Sequence, residues 1–479
     1  MPDWVGHRAA VLPTHPAVVT PERAVTYAEL DKLAGEVGAA LLERGVAAGD
    51  RVALLALNSL EFAVAVHGIT RIGAILVPLN ARLTPQELAW QLGDSGSRTL
   101  LFHAPTRGAA LLAATEGGLP FTSLLSLDDP PVAGEAISAV AHSDDDAHSI
   151  IYTSGTTGRP KGAILTYSNF WNSAAASAFN MGVLPNDRWL ACLPLFHVGG
   201  LSVLLRSAIY GTTAVIHGGF DETAVNRALR HEGVSLLSVV PTMLQRMLDA
   251  DDAPYPPSLR GVLVGGGPVT REILERALAR GLPVLQTYGL SEAASQVTTL
   301  SLADTAAHAG SAGKPLVCTQ LRIDAEPGQP GEILVSGPTV TPGYFGNPEA
   351  TARTIQDGWL HTGDIGRLDE DGFLYVLDRR DDLIVSGGEN VYPAEVEAVL
   401  LQHPLILAAA VVGLPDERWG QVVAAAVVVR PGFDAGEATV WLRERVAGYK
   451  VPRRFVTVDT LPATASGKVQ RHLARTMFI

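Results

Sequence analysis

Through about residue 300, short apolar segments alternate with stretches of helical periodicity, and this alternation leaves few folds open. Arg51-Val52-Ala53-Leu54-Leu55-Ala56-Leu57 reads as a strand, residues 60–67 as a helix, and Ala74-Ile75-Leu76-Val77-Pro78 as a second strand. Strand–helix alternation predicts α/β layers around largely parallel sheets. The 479 residues allow roughly three domain-sized units, and a 47% hydrophobic content can fill their cores. From 315 to 342 the pattern changes to strand and turn, broken at Pro327-Gly328 and Gly337-Pro338, which predicts a small β subdomain. A hairpin with Asp371-Gly372 in its turn follows, and then the charged cluster Asp378-Arg379-Arg380-Asp381-Asp382, which we take as a mobile junction. Beyond it come a Gly387-Gly388 turn, a helix over 393–402, strands over 408–412 and 422–429, and a helix over 438–446. The expected organisation is a large N-terminal domain over 1–377, a hinge at 378–381, and a small α+β domain over 382–479.

Within this frame, Thr153-Ser154-Gly155-Thr156-Thr157-Gly158-Arg159-Pro160-Lys161-Gly162 gathers hydroxyls, glycines and a lysine in one loop. Glycine lets backbone N–H groups close on an anion, and the hydroxyls and Lys161 add donors, so the loop suits phosphate. Ile150-Ile151-Tyr152 before it and Ala163-Ile164-Leu165 after it read as buried strands, which argues against a surface linker. The common phosphate loop needs Gly-Lys followed directly by Ser or Thr, whereas here Pro160 precedes Lys161 and Gly162 follows it, so an ordinary P-loop NTPase is disfavoured.

A net charge of −13 excludes broad nucleic-acid binding while leaving room for one local nucleotide site. Lysine is scarce: Lys32, Lys161, Lys314, Lys450 and Lys468 are the whole set. Cys192 and Cys318 are too few and too far apart for a disulfide framework or a metal cluster, which fits a reducing cytoplasm. The first residues carry no secretory pattern. The uncharged run over 189–205 falls short of the ~20 residues of a spanning helix and is broken by Pro194, His197 and Gly199-Gly200, so it reads as buried interior.

Four further segments follow the loop in order: Pro194-Leu195-Phe196-His197, Tyr288-Gly289-Leu290-Ser291-Glu292, Thr362-Gly363-Asp364, and Pro462-Ala463-Thr464-Ala465-Ser466-Gly467-Lys468. Together they resemble the adenylate-forming superfamily of acyl-CoA synthetases, luciferases and adenylation domains over nearly the whole chain. The resemblance implies that a carboxylic acid and ATP give an acyl-adenylate and pyrophosphate, and that a thiol then displaces AMP. It implies ATP, Mg²⁺ and CoA as cofactor and co-substrates. It also implies that Thr153, Ser154, Gly155, Thr156, Thr157, Gly158 and Lys161 grip phosphates, that Glu292 holds magnesium, and that Tyr288 stacks on adenine. Gly265, Gly266, Gly267 and Pro268 would border the base and the acyl group, with Thr287, Gly289 and Ser291 beside them. Asp364 would take the ribose and Arg379 the ribose or phosphate. Lys468 would supply the mobile adenylation charge, Asp381 would be the hinge, Gly387 and Gly388 would face the pantetheine channel, and His197 would gate the acyl carbon.

Residues 194–220, Ser238 to Leu244 in Ser-Val-Val-Pro-Thr-Met-Leu, and the run from Gln286 to Leu300 are more closely similar to the 2-succinylbenzoate–CoA ligases of menaquinone biosynthesis. Adenylation domains for amino acids need an acidic group near Phe196-His197-Val198-Gly199-Gly200; none stands there and no carrier segment follows Ile479, so a free acid and free CoA are expected. Arg206, set among Leu204-Leu205 and Ala208-Ile209, is the physical clue to a second substrate carboxylate, although a structural ion pair explains it equally well at this stage. Ser202, Thr242, Gly266, Gln296 and His197 complete the expected acyl pocket. Malonate, a fatty acid or an aryl acid remain alternatives, as does a non-catalytic adenylate-binding module. No membrane span and no nucleic-acid partner are expected, and a homo-oligomer is allowed without being required.

Overall fold

A computed structural model describes residues 1–120, 123–128, 137, 139–153, 160–267, 269, 271–378, 383–462 and 471–478. Among these, the strands form four sheets. One runs in the order Leu124–Ser126, Thr99–Phe102, Arg51–Leu55, Ile75–Pro78, Ala147–Thr153, Lys161–Thr166, parallel except for its last pair. The second is nine-stranded, and its parallel centre runs Val284–Tyr288, Gly261–Val264, Leu236–Val239, Arg188–Ala191, Thr213–Ile216, Pro16–Val19.

The continuous apolar runs follow from cover on both faces of each sheet, with side chains alternating at period two. Val52 and Leu54 enter a core to which both large sheets contribute, whereas Ala53 and Leu55 enter a separate core with Leu88, Leu92 and Ala113. Trp189 and Ala191 likewise join the shared core, and Leu190 and Cys192 the opposite one. The helices Tyr27–Glu43, Leu60–Arg71, Tyr167–Met181 and Val198–Tyr210 supply much of the shared core, joined by Trp4 and Val5 of the helix Trp4–Val11. Thr26 starts the first of these with a capping box to Glu29. The run over 189–205 is therefore interior: a strand, a turn and a buried helix. No helix among the described residues is long and apolar enough to cross a membrane.

The β subdomain is a five-stranded antiparallel sheet in which Trp359–Leu368 pairs with Gly331–Ser336 and with Leu374–Asp378. Leu368 faces Leu374 across the predicted hairpin turn, and Gly372 takes φ +81° there. In the small C-terminal domain Gly420–Val429 pairs antiparallel with Ile406–Asp416 and parallel with Arg454–Thr457, flanked by the helices Pro393–Leu400 and Ala435–Arg443. Its two long strands overrun the sequence expectation, because the ladder starts at Ile406 and runs through Gly413 and Pro415 to Asp416 opposite Gly420. The expected hinge residue Asp381 lies outside the described residues.

Candidate active site

A cleft of about 360 Å³ opens at the carboxyl ends of the parallel strands, where α/β sheets present loops free of ladder hydrogen bonds. Asn80 follows Ile75–Pro78, Leu193 and Pro194 follow Arg188–Ala191, Val240 follows Leu236–Val239, and Gly265 and Gly266 follow Gly261–Val264. The small domain closes the other side with Gly388, Glu389, Asn390, Tyr449 and Lys450.

Thr153 and Lys161 face each other at the open end of the hairpin between Ala147–Thr153 and Lys161–Thr166. Thr153, at the end of its strand, donates its hydroxyl to Oε1 of Glu292 at 3.3 Å, and Tyr344 donates to the same oxygen at 2.9 Å. The Lys161 ammonium sits 5.2 Å from the centroid of the Tyr344 ring. Ser154, Gly155, Thr156, Thr157 and Gly158 lie outside the described residues, as do Pro268, Arg379 and Lys468. Among the described residues the Glu292 carboxylate thus meets the hydroxyl oxygens of Thr153 and Tyr344, and an all-oxygen set of this kind suits Mg²⁺.

Thr287, Gly289 and Ser291 line the cleft. A Cβ at Gly289 would lie 1.5 Å from the Ser295 carbonyl oxygen, so only glycine permits the 289–295 turn that presents Glu292. Gly266, at φ +82°, lines the cleft with Gly265, whereas Gly267 packs toward Pro241. The Tyr288 ring does not line the cleft as expected: it is buried with Val297, Ile333 and Leu360, and its hydroxyl donates to Asp364 Oδ2 at 2.6 Å. Asp364 does line the cleft.

His197 precedes the helix Val198–Tyr210, and its Nε2 is 3.0 Å from Oε2 of Glu389, a small-domain carboxylate that is 2% exposed. Burial alone would raise the Glu389 carboxyl, but His197, Arg82 and Lys450 hold it below the ordinary range. Asn80 donates to both Glu389 and Tyr449 at 3.3 Å, and Arg82 donates to Glu389 at 2.9 Å. Lys450 is buried and donates at 2.7 Å to Glu87 of the large domain and at 2.7 Å to Glu395 of the small one. Against the cost of burial, the adjacent Tyr449, Glu395 and Glu87 raise its pKa and keep it charged. One corner, residues 80–87, together with His197, therefore carries these large-domain contacts to the small domain.

Arg206 lines the cleft and is 3% exposed. It donates from Nη2 to Ser173 at 2.9 Å, lies 5.7 Å from the Trp189 ring, and leaves Nε without a partner. Burial lowers its pKa, and no carboxylate contributes to offset the cost. A structural ion pair is thus absent among the described residues. Gln296 lines the cleft, donates to Thr299 at 3.2 Å and leaves Oε1 unpartnered. Ser202 is buried one turn before Arg206 without lining the cleft. Thr242 does not line it either: its methyl would meet a Cβ on Gly420, so it belongs to the domain seam. Gly387 is likewise set back, against Trp419, while Gly388 reaches the cleft.

Sequence reasoning missed Tyr344, Arg82, Glu87, Tyr449 and Ser173. Glu87 reads locally as the capping-box partner of Thr84, which it also is. Lys450 stood out through lysine scarcity alone, since its two partners are distant in sequence.

The AMP-binding enzyme family profile matches residues 5–345, and the AMP-binding enzyme C-terminal domain profile matches 395–468. A 2-succinylbenzoate–CoA ligase of Bacillus cereus is 44% identical over 481 residues, spanning 99% of this chain and 98% of its own length. The o-succinylbenzoate CoA synthetase of Bacillus subtilis, as a double mutant bound with its product analogue OSB-NCoA, superposes with a TM-score of 0.94 at 40% identity, covering 99% of this chain and 98% of that one. The same enzyme with the acyl-adenylate intermediate OSB-AMP gives 0.77 at 41% identity, covering 99% and 98%. With ATP and magnesium ion it gives 0.76 at 40% identity, covering 99% of both chains.

Proposed function

The chain belongs to the AMP-binding enzyme family, and on that premise we propose that it is an ATP-dependent acid–CoA ligase. It joins 2-succinylbenzoate to CoA through an acyl-adenylate and releases AMP and diphosphate. A carboxylate resists nucleophiles until one oxygen is attached to a leaving group; adenylation supplies AMP as that group, and the CoA thiol then displaces it. Lys161, Thr153 and the loop they flank hold the ATP phosphates, and Asp364, oriented by Tyr288, accepts from the ribose hydroxyls. Glu292, with the Thr153 and Tyr344 hydroxyls, holds Mg²⁺, which neutralises phosphate charge when bound. His197 borders the acyl carbon and takes a hydrogen bond with Glu389 when the small domain swings in.

The observation that carries the substrate assignment is Arg206, a buried guanidinium facing the cleft with no carboxylate among the described residues to offset it. The aromatic carboxylate of 2-succinylbenzoate compensates that charge, while the succinyl carboxylate is activated. The test is CoA-thioester formation with 2-succinylbenzoate, 4-phenyl-4-oxobutyrate, malonate and octanoate, in wild type and in Arg206→Met. Losing the aromatic carboxylate should cost wild type about 2–4 kcal/mol in kcat/KM and the variant far less. Preference for malonate or octanoate would overturn the substrate, and additive losses would overturn the role of Arg206.

Near-equal identity and coverage leave domain placement as the natural source of the gap between 0.94 and 0.77. Together with Gly388, Glu389 and Asn390 lining the cleft, this supports reading the described arrangement as the thioester-forming one. Lys450 bound to Glu87 is then a contact specific to the second half-reaction. Glu87→Gln retains the helix cap, because Gln also serves a capping box, but removes the charge. It should slow thioester formation from supplied acyl-adenylate by roughly tenfold, the order of one charged hydrogen bond, and leave adenylation unchanged. Equal slowing of both half-reactions would show that the contact does not depend on the arrangement.

A further inference from the structure

The Arg206 guanidinium and the turn bearing Glu292 are joined by one buried hydroxyl. Arg206 Nη2 donates to Ser173 Oγ at 2.9 Å, and Ser173 Oγ donates to the carbonyl oxygen of Ala294 at 2.6 Å. A serine hydroxyl has a single hydrogen to give, so the direction is fixed: guanidinium to hydroxyl to carbonyl. Ser173 is 2% exposed and Ala294 fully buried, so water does not compete for either bond. The receiving end is unusual backbone. Ala294 and Ser295 both adopt left-handed conformations, φ +50° and +96°, which cost a non-glycine residue energy and persist only where the surroundings hold them. The turn bears Glu292 in Ser291–Ala293, is closed by Ala294 N–H on Ser291 and Ser295 N–H on Leu290, and presents Ser295 and Gln296 to the cleft. Its other side is fixed by Thr341 N–H, which donates to the Glu292 carbonyl at 2.7 Å. The Ser173 bond is thus the side-chain tie between this strained turn and the helix Tyr167–Met181.

We infer that Ser173 is a positioning residue that couples occupancy of Arg206 by the substrate's second carboxylate to the placement of the Glu292 turn. This rests on the substrate reading above. A carboxylate bidentate on the free edge of the guanidinium fixes its position, and so holds Nη2 on Ser173 and Ser173 on the Ala294 carbonyl. The second carboxylate is therefore read in the rate of adenylation as well as in binding. An acid lacking it leaves the turn less firmly held and is adenylated slowly even at saturation.

The experiment measures kcat and KM for pyrophosphate release with 2-succinylbenzoate and 4-phenyl-4-oxobutyrate, and the Mg²⁺ concentration for half-maximal rate, in wild type, Ser173→Ala and Ser173→Cys. Wild type should favour the dicarboxylate in kcat. Ser173→Ala should reduce that kcat preference about tenfold, within the usual range of coupling between sites, and raise the Mg²⁺ requirement with 2-succinylbenzoate. Ser173→Cys, which keeps a weak donor of similar size, should fall between the two and stands in if the alanine variant does not fold. An unchanged kcat preference in a folded variant, or a change confined to KM, overturns the coupling while leaving the substrate reading intact. No preference in wild type overturns the substrate reading and the coupling with it.

Discussion

Replacing Lys468 with alanine is expected to lower adenylation by a factor on the order of 10² to 10³, the usual loss when a donor aimed at developing charge is removed. Thioester formation from supplied acyl-adenylate should be largely spared. A compact ammonium on a flexible stem can meet both the attacking carboxylate and the α-phosphate, where negative charge accumulates. Lys450, the small-domain lysine that lines the cleft in the described arrangement, belongs to the second half-reaction, where it is buried and committed to Glu87 and Glu395. The two half-reactions therefore draw on different lysines. Pyrophosphate release and single-turnover thioester formation, measured on the same preparation, separate them. Equal loss in both would assign Lys468 a structural part instead.

Acid should unfold the large domain through two histidines that the fold holds neutral. His148 is 1% exposed, stacks on Trp4 and meets Tyr167 and Phe170 edge-on. Burial, with repulsion from His67 and His142, pushes its pKa down to about 3. Burial likewise lowers His67 to about 4, with Asp3 opposing and Arg71 adding to the shift. Both folded values lie below the unfolded value near 6.5, so their stability is fully present above pH 6.5. It is lost progressively as pH falls from 6.5 to the folded values near 4 and 3, because over that window only the unfolded chain takes up the protons. By pH 5 each histidine costs about 2 kcal/mol, a large share of the 5–15 kcal/mol that stabilises a domain. Acid titration followed by near-ultraviolet circular dichroism should show the midpoint move to lower pH in His67→Leu and again in His67→Leu/His148→Phe. An unmoved midpoint would place the acid-sensitive groups elsewhere.

The sequence by itself determined the layered α/β plan, because apolar strands covered on both faces must read as continuous runs such as Arg51–Leu55. It also determined the order of chemical segments, because loops at strand ends keep their glycines and hydroxyls in consecutive positions. Strand ends were less legible: the hairpin of the small domain runs on to Asp416 and Gly420 because backbone pairing does not require apolar residues. Arg206 could be named but not interpreted from sequence, since whether a buried guanidinium meets a carboxylate depends on helices packed from elsewhere in the chain. Only the tertiary structure decided that Tyr288 turns into the β subdomain core and meets Asp364 through its hydroxyl, and that Thr242 belongs to the domain seam. It alone decided that Glu87 serves both its own helix cap and Lys450, 363 positions away. Such contacts are set by how two domains close on one cleft, and no local periodicity or spacing records a bond between residues that meet only after that closure.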